Sequence, residues 1–387
     1  MTPPTDRADR SPLVIDRSGL QALLDSLVAD GYLVIGPTVR DRAIVYDEIT
    51  RVDELPAGWG DEQAPGSYRL RRRDDDALFG YVVGPTSWKR FLFPPVSVSW
   101  QGEMSEDGVK VAPPAEVPRY AFLGVRACEL AAIAIQDRIL AHGGYPDRDY
   151  VARRDSALFI AVNCSTPAGT CFCTSMGTGP RVGQGHDLAL TELLDGGEPR
   201  FLVEIGSERG AGVVERLSAR KAGPADQEAA ESVWSAAVAG VTKTMPAAGL
   251  PDALTRNLEH PRWDDVAARC LACANCTMVC PTCFCADFRE MGGLVSTHTE
   301  QHRLWASCFA IDHSQLHGGA MRQSSRSRYR QWMTHKLSTW HDQFGTSGCV
   351  GCGRCIAWCP VGIDITEEAA AIRATDGLTR LPAGAGS

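Results

Sequence analysis

The chain has 387 residues, of which 44% are hydrophobic and 22% are charged, and its formal net charge is -8. This composition is ordinary for a globular protein of two or three domains, and the acidic balance disfavours a general nucleic-acid binder. No apolar stretch reaches the ~20 residues of a membrane-spanning helix, and the polar start MTPPTDRADRSP lacks the apolar core of a secretory signal. We therefore predict a cytoplasmic protein without a membrane span.

The first part of the chain alternates helix and strand patterns. SGLQALLDSLVADG predicts an amphipathic helix, and the strands GYLVIG and DRAIVYDEI follow it. YAFLGV and SALFIAVNC predict buried strands that end near Cys128 and Cys164, and ELAAIAIQDRIL predicts a helix after the first of them. RFLVEIG is a further strand, and residues 213–245 are helical in pattern. Because α/β folds bind ligands at the carboxyl ends of strands, the two cysteines lie where ligands are expected.

Two cysteine runs share one spacing. CLACANCTMVCP and CVGCGRCIAWCP both have the form C-x2-C-x2-C-x3-C-P, which is the ligand run of bacterial ferredoxins. Structural zinc sites use paired C-x2-C ligands instead. The fourth cysteine of each run binds the other cluster in two-cluster ferredoxins. We therefore predict one [4Fe-4S] cluster on Cys270, Cys273, Cys276 and Cys359, and a second on Cys349, Cys352, Cys355 and Cys280.

The segment between the two runs is too long for a compact ferredoxin and includes the helical pattern RSRYRQWMTHKLSTWHDQF. We predict an α+β fold: a mixed α/β domain over residues 1–250, then an α-helical ferredoxin domain with two [4Fe-4S] clusters over residues 251–375, mostly helical, and a flexible tail at 376–387. A basic stretch in this insert, from Arg322 to Lys336, is interpreted as a solvated helix face or as a docking face for an acidic partner. The histidines of the insert are expected at the surface or in packing, although one could hydrogen-bond to a cluster sulfur.

The seven other cysteines fall into two groups. Cys128, Cys164, Cys171 and Cys173 have the number that a third [4Fe-4S] cluster needs, and the alternative is that they are buried, inert thiols. In an extended segment Cys171 and Cys173 point to the same side and Phe172 to the other. Cys283, Cys285 and Cys308 stay unassigned. They could surround a cluster, form a site of their own, or join both copies of TCFC in one composite site.

The sequence lacks the motifs of dinucleotide binding and of hydrolytic catalysis. The glycines of SMGTGPRVGQG do not have the dinucleotide-binding spacing, and Pro180 interrupts them. No Ser-His-Asp set or carboxylate pair stands out, so no catalytic residue and no cofactor besides the clusters is predicted.

Several stretches resemble a known family: GVRACELAAI, NCSTPAGTCFCTSMGTGP, CTMVCPTCFC, RYRQWMTHKLSTWHDQFGTSGCVGCGRCIAWCP and VGIDIT. They are similar to the 4Fe-4S dicluster β subunit of cytosolic group 3b [NiFe] hydrogenases, the sulfhydrogenases, and to the first subunit of anaerobic sulfite reductase. The resemblance covers roughly residues 80–370. It departs at Ala127 and Glu129, where the family has Pro before the cysteine and Asp after it.

The resemblance implies a non-catalytic electron-transfer subunit of an oxidoreductase complex. Its partners would be a flavoprotein subunit that carries FAD and handles NAD(P)H, and the small and large subunits of the [NiFe] hydrogenase. Three alternatives stay open: the same role in a sulfite reductase complex, a flavin- or deazaflavin-dependent oxidoreductase in its own right, and a redox-sensing DNA-binding regulator.

Overall fold

A computed structural model describes residues 11–82, 84–113, 116–194, 197–292 and 296–376. The strands, in chain order, are β1 Leu13–Ile15, β2 Leu33–Arg40, β3 Ala43–Glu48, β4 Trp59–Ala64, β5 Ser67–Arg72, β6 Val96–Ser105, β7 Gly108–Val111, β8 Tyr120–Val125, β9 Leu158–Val162, β10 Leu188–Leu193, β11 Arg200–Ile205, β12 Arg220–Lys221, β13 Ala286–Met291, β14 His298–Trp305, β15 Gln315–Leu316 and β16 Gly319–Ala320.

The helices, in chain order, are α1 Arg17–Ala29, α2 Lys89–Leu92, α3 Ala127–Gln136, α4 Arg148–Ser156, α5 Cys173–Met176, α6 Glu208–Val214, α7 Pro224–Gly240, α8 Leu250–Arg256, α9 Arg262–Arg269, α10 Asn275–Met278, α11 Ser325–Thr334, α12 Trp340–Phe344, α13 Arg354–Ala357 and α14 Ile365–Ala374. A 3-10 turn lies at Val52–Glu54, and π-helical turns at Asp137–Ala141 and His335–Thr339 continue α3 and α11. Within the described ranges, no helix has both the length and the apolar character needed to cross a bilayer.

A mixed eight-stranded sheet, counted over the described residues, organises the first part of the chain in the order β12-β1-β11-β10-β9-β8-β2-β3. Its centre is parallel: β8 pairs with β9, and Phe122 lies opposite Phe159. All five residues of β9 are buried, as expected for a parallel strand covered on both faces. The mixed α/β character predicted for the first part of the chain is therefore confirmed.

Helix α1 covers one face of this sheet. Leu20, Leu23, Leu24 and Leu27 are completely buried, and their spacing of three and four residues gives one apolar stripe. The carboxylate of Asp16 accepts a hydrogen bond from the Gly19 amide at 2.8 Å and so caps the start of the helix.

A second core lies under the cysteine-rich part of the chain. Helices α8, α9, α11 and α14 pack around Trp263, Tyr329, Met333 and Ile372. The helical prediction for RSRYRQWMTHKLSTWHDQF is correct, since α11, a π-helical turn and α12 follow one another there.

The segment between the cysteine runs is not helical throughout. Strands β13 and β14 pair with each other, and β14 adds to β6 of the first part of the chain to give the sheet β13-β14-β6-β7. This corrects the mostly helical expectation for that stretch. The strand β14 forms there because β6 offers a free edge. A polar segment such as HTEQHRLW can pair with that edge without an apolar pattern of its own. Backbone hydrogen bonds thus connect the two predicted domains, whose boundary at 250/251 stays a prediction.

The second cysteine run also packs directly onto the first TCFC copy. The Phe172 amide donates to the Gly351 carbonyl at 2.9 Å. Gly351 has a φ of +67°, and a Cβ at this position would lie 2.7 Å from the Cys173 Cα. Only glycine combines this backbone conformation with so close an approach, so the two cysteine segments are in main-chain contact.

Candidate metal centres

Five cysteines from both runs line a first cavity, which we call cavity 1. They are Cys270, Cys273, Cys276, Cys355 and Cys359. Helix α9 ends at Arg269, Cys270 follows it directly, and the loop then turns back through left-handed φ angles at Ala272 and Ala274. The Ala272 amide donates to the Cys270 Sγ at 3.4 Å, and the Ile363 amide donates to the Cys359 Sγ at 3.3 Å. Backbone N–H groups thus point at sulfur, as anionic clusters require.

A second group of four cysteines lines cavity 2: Cys280, Cys349, Cys352 and Cys355. The loop that carries the last three turns through positive φ at Gly351 and Gly353. The Gly351 amide donates to the Cys349 Sγ at 3.5 Å. In each of the two cavities, the first three cysteines of one run therefore meet the fourth cysteine of the other run.

Cavity 3 lies at the carboxyl ends of β8 and β9. Its thiols from the first part of the chain are Cys128, Cys164, Cys171 and Cys173, and Cys352 of the second run also lines it. Cys128 is in the first turn of α3, Cys164 follows β9, and Cys173 opens α5. Phe172, between two of these cysteines, turns away from them and lines cavity 2, so the alternation predicted for this segment is found.

Arg126 also lines cavity 3. It is 1% exposed, and its Nη1 and Nη2 donate to the carbonyls of Asn163, Phe79 and Tyr81. Its Nε has no hydrogen-bond partner in the structure. A buried cation with an unsatisfied donor favours an anionic group beside it.

The three cavities form a row. Cys355 lines both cavity 1 and cavity 2, and Cys352 lines both cavity 2 and cavity 3. Neighbouring cavities therefore share a cysteine in their walls. The outer end of the row is at cavity 1, where Cys273 is exposed and Leu271 is 64% exposed.

Burial sets the protonation of most of these thiols. It raises the pKa of Cys276 and of Cys355 well above the ordinary thiol value, and neighbouring thiols add to the effect. Burial likewise raises the pKa of Cys349 to about 12. Thiolates at such positions need a metal to replace the proton.

Cys280 is the exception among the four thiols of cavity 2. The Cys283 thiol, hydrogen-bonded to it, and the Lys336 ammonium outweigh burial and hold the pKa of Cys280 well below its usual range. Lys336 is 3% exposed, and its Nζ lies 3.3 Å from the Cys280 Sγ and 3.5 Å from the Cys283 Sγ. Burial alone would lower the pKa of Lys336, but the sulfurs of Cys280 and Cys283 raise it.

Lys336 corrects the interpretation of the basic stretch as a solvated face. Other members of that stretch are in ion pairs or hydrogen bonds with the protein: Arg326 and Arg330 pair with Glu259, and Arg328 donates to the Phe309 carbonyl. The sequence contained a signal for the buried lysine. Trp332, Lys336 and Trp340 recur every fourth residue, which places all three on one helix face.

Among the described residues, the three unassigned cysteines are not part of the lining of cavities 1 to 3. Cys283 contacts Lys336. The Cys285 carbonyl accepts a hydrogen bond from the Ala306 amide at 2.8 Å, and burial raises the pKa of Cys308 to about 12, with Cys285 nearby. Among the described residues, cavity 3 is lined by the first TCFC copy and not by the second. The composite site that would join both copies has no support in this arrangement.

A buried ion pair lies where the second run meets α3. The Arg354 Nη2 lies 2.6 Å from the Glu129 Oε1, and their side chains are 2% and 1% exposed. The other carboxylate oxygen accepts hydrogen bonds from the Tyr46 hydroxyl at 2.7 Å and from the Trp88 indole at 2.9 Å. Glu129 is a position at which the sequence departs from the family pattern, which has Asp there. The longer glutamate side chain reaches from α3 to Arg354 of the second cysteine run.

The donor sets fit iron–sulfur clusters in number and in kind. Each cavity is lined by at least the four thiols that a [4Fe-4S] cluster needs, and the N–H donors at cavities 1 and 2 suit the negative charge of such a cluster. Among the residues that the structure describes, no group of three or more His, Cys, Asp or Glu side chains is arranged to hold a single metal ion.

Comparison with known proteins gives two matches. A family described as a 4Fe-4S dicluster domain matches residues 269–363. The sulfhydrogenase 2 subunit beta of Pyrococcus furiosus is 27% identical over 335 residues, which are 86% of this chain and 89% of that protein. No solved structure shows a significant match. The predicted resemblance is thus confirmed: over most of its length the chain is similar to a sulfhydrogenase β subunit, and it carries a 4Fe-4S dicluster domain.

Proposed function

We propose that the chain is an iron–sulfur electron-transfer subunit that relays electrons between an NAD(P)H-handling flavoprotein subunit and the small subunit of a soluble [NiFe] hydrogenase. The observation that carries the proposal is the row of three thiol-lined cavities with shared walls. Support for the hydrogenase assignment comes from the name of the relative, a sulfhydrogenase subunit.

In this proposal the ferredoxin cysteines bind in crossed sets. Cys270, Cys273, Cys276 and Cys359 hold one [4Fe-4S] cluster in cavity 1, and Cys280, Cys349, Cys352 and Cys355 hold another in cavity 2. Each bound cluster supplies a one-electron redox centre. The thiolates fix its position, and the apolar side chains of Phe309, Trp332 and Ile365 exclude water from cavity 1.

Cavity 3 holds a third [4Fe-4S] cluster on Cys128, Cys164, Cys171 and Cys173. Two features support this: the four thiols line one enclosed space, and the guanidinium of Arg126 has an unsatisfied donor beside it. Inert packing thiols would not explain the unsatisfied Nε donor of a buried guanidinium on the wall of this cavity.

The order of the cavities also gives the electron path an outer end and an inner end. Cavity 1 opens near the exposed Leu271 and Cys273, so one partner subunit docks there. The other cavities extend the path inward to the sheet through Cys355 and then Cys352.

Replacing Cys352 with alanine in the assembled complex tests this function, because this cysteine lies between cavity 2 and cavity 3. We expect hydrogen-driven reduction of NAD(P)+ to fall to background. Reduction of a viologen dye by hydrogen and reduction of a dye by NAD(P)H should both persist, since they use the partner subunits alone.

The two dye activities are the internal control for assembly. Full hydrogen-driven NAD(P)+ reduction by the Cys352→Ala complex would contradict the relay. Flavin bound to the separately purified wild-type chain would instead support an oxidoreductase in its own right, and a sirohaem protein as the copurifying partner would support a sulfite reductase complex.

A further inference from the structure

We propose that Lys336 raises the reduction potential of the cluster in cavity 2, so that electrons entering the row collect on that cluster. The inference rests on the proposed binding of a [4Fe-4S] cluster by Cys280, Cys349, Cys352 and Cys355. It concerns a residue that is not a ligand and that lies outside both ferredoxin runs.

The ammonium group of Lys336 is held in one place by four acceptors. Besides the sulfurs of Cys280 and Cys283, its Nζ lies 3.1 Å from the Thr282 hydroxyl and 3.0 Å from the Gly348 carbonyl. The hydroxyl of Thr282 is in turn 2.6 Å from the same carbonyl and 3.1 Å from the Cys280 Sγ. A lysine with so many fixed contacts has lost its usual freedom and can act as a fixed charge.

This positive charge is not neutralised by a carboxylate. Within the described residues, the hydrogen-bond partners of the Lys336 ammonium are sulfurs, a hydroxyl and a carbonyl. The contrast is Arg354, beside Cys352, whose guanidinium pairs with Glu129. A second buried ammonium, that of Lys89, lies on the same side and donates to the Cys283 carbonyl at 3.1 Å. Two buried lysine side chains therefore lie on the Cys280 side of cavity 2.

A fixed positive charge favours the reduced state of a cluster. Reduction adds one negative charge to the cluster, and a nearby cation with a hydrogen bond to a ligand sulfur stabilises that charge. The low effective dielectric constant of a buried site strengthens the interaction. Because cavity 2 is between the other two cavities, electrons that enter from either end of the row collect there.

The test is a redox titration, followed by electron paramagnetic resonance, of the cluster-loaded complex that carries Lys336→Met. We expect one cluster signal to move to lower potential, with at least a tenfold change in its oxidised-to-reduced ratio at a fixed potential, or about 59 mV for a one-electron couple. The other signals should not move, and the iron content should equal that of the wild type. Lys110→Met is the matched control, since Lys110 is exposed on β7.

Lys336→Gln keeps an N–H donor and removes only the charge, so it separates the two contributions and replaces the methionine variant if that protein does not fold. A shift to lower potential in the glutamine variant would support the charge as the cause. An unchanged titration with full iron content would overturn this inference and leave the proposed function standing. Wild-type protein without iron would instead overturn the proposed function.

Discussion

The Cys359→Ala variant is expected to lose the cluster of cavity 1, although the other cysteines of the second run line cavity 2. The reason is geometric: Cys359 lines cavity 1 with Cys270, and the Ile363 amide holds its sulfur there at 3.3 Å. Each single loss removes about four iron atoms per chain. Spectra of the reduced protein should therefore show the same missing signal in Cys359→Ala and in Cys270→Ala.

The reciprocal pair is the control. Cys280→Ala and Cys349→Ala should share the loss of the other signal, because both cysteines line cavity 2. If Cys359→Ala instead lost the signal that Cys349→Ala loses, each run would hold its own cluster and the crossed arrangement would be wrong.

The Glu129→Ala variant is expected to lower the free energy of unfolding by about 3–5 kcal/mol, the usual cost of leaving one partner of a buried ion pair without the other. Arg354 would keep its charge in a site where its side chain is 2% exposed. The Tyr46 hydroxyl and the Trp88 indole would lose their acceptor at the same time. Anaerobic denaturant titration of the cluster-loaded chain, followed by circular dichroism, measures the change.

A double variant and an exposed control variant help to interpret this result. Glu129→Ala combined with Arg354→Met removes both charges and should recover part of the lost stability. Asp53→Ala removes exposed ion pairs to Arg17 and Arg51, and we expect a much smaller loss of unfolding free energy than for Glu129→Ala. If Glu129→Ala cost no more than Asp53→Ala, the buried pair would not connect the two parts of the chain as the structure indicates.

The sequence indicated which cysteines of the two runs would lie together, because the motif itself contains the geometry. In a C-x2-C-x2-C-x3-C-P run three thiols lie on one tight loop and the fourth lies at a helix end, so the spacing determines which side chains can converge. The strands YAFLGV and SALFIAVNC were equally predictable, since continuous apolar runs are typical of buried parallel strands. They end near Cys128 and Cys164, as the structure shows for β8 and β9.

The parts that the sequence could not predict depend on contacts between distant segments. Strand β14 has a polar sequence and exists through its pairing with β6, about which local propensity contains no information. The pairing of Glu129 with Arg354 joins positions 225 residues apart. Lys336 could have been placed on a buried face by its tryptophan neighbours, but only the fold shows that this face meets Cys280.

The most direct test of the whole account is the metal and sulfide content of the anaerobically prepared chain. Three occupied cavities predict about twelve iron and about twelve acid-labile sulfide per wild-type chain, and about eight of each in Cys164→Ala. About eight iron atoms in both proteins would confine the clusters to the two ferredoxin runs. Zinc in place of iron would contradict the electron relay itself.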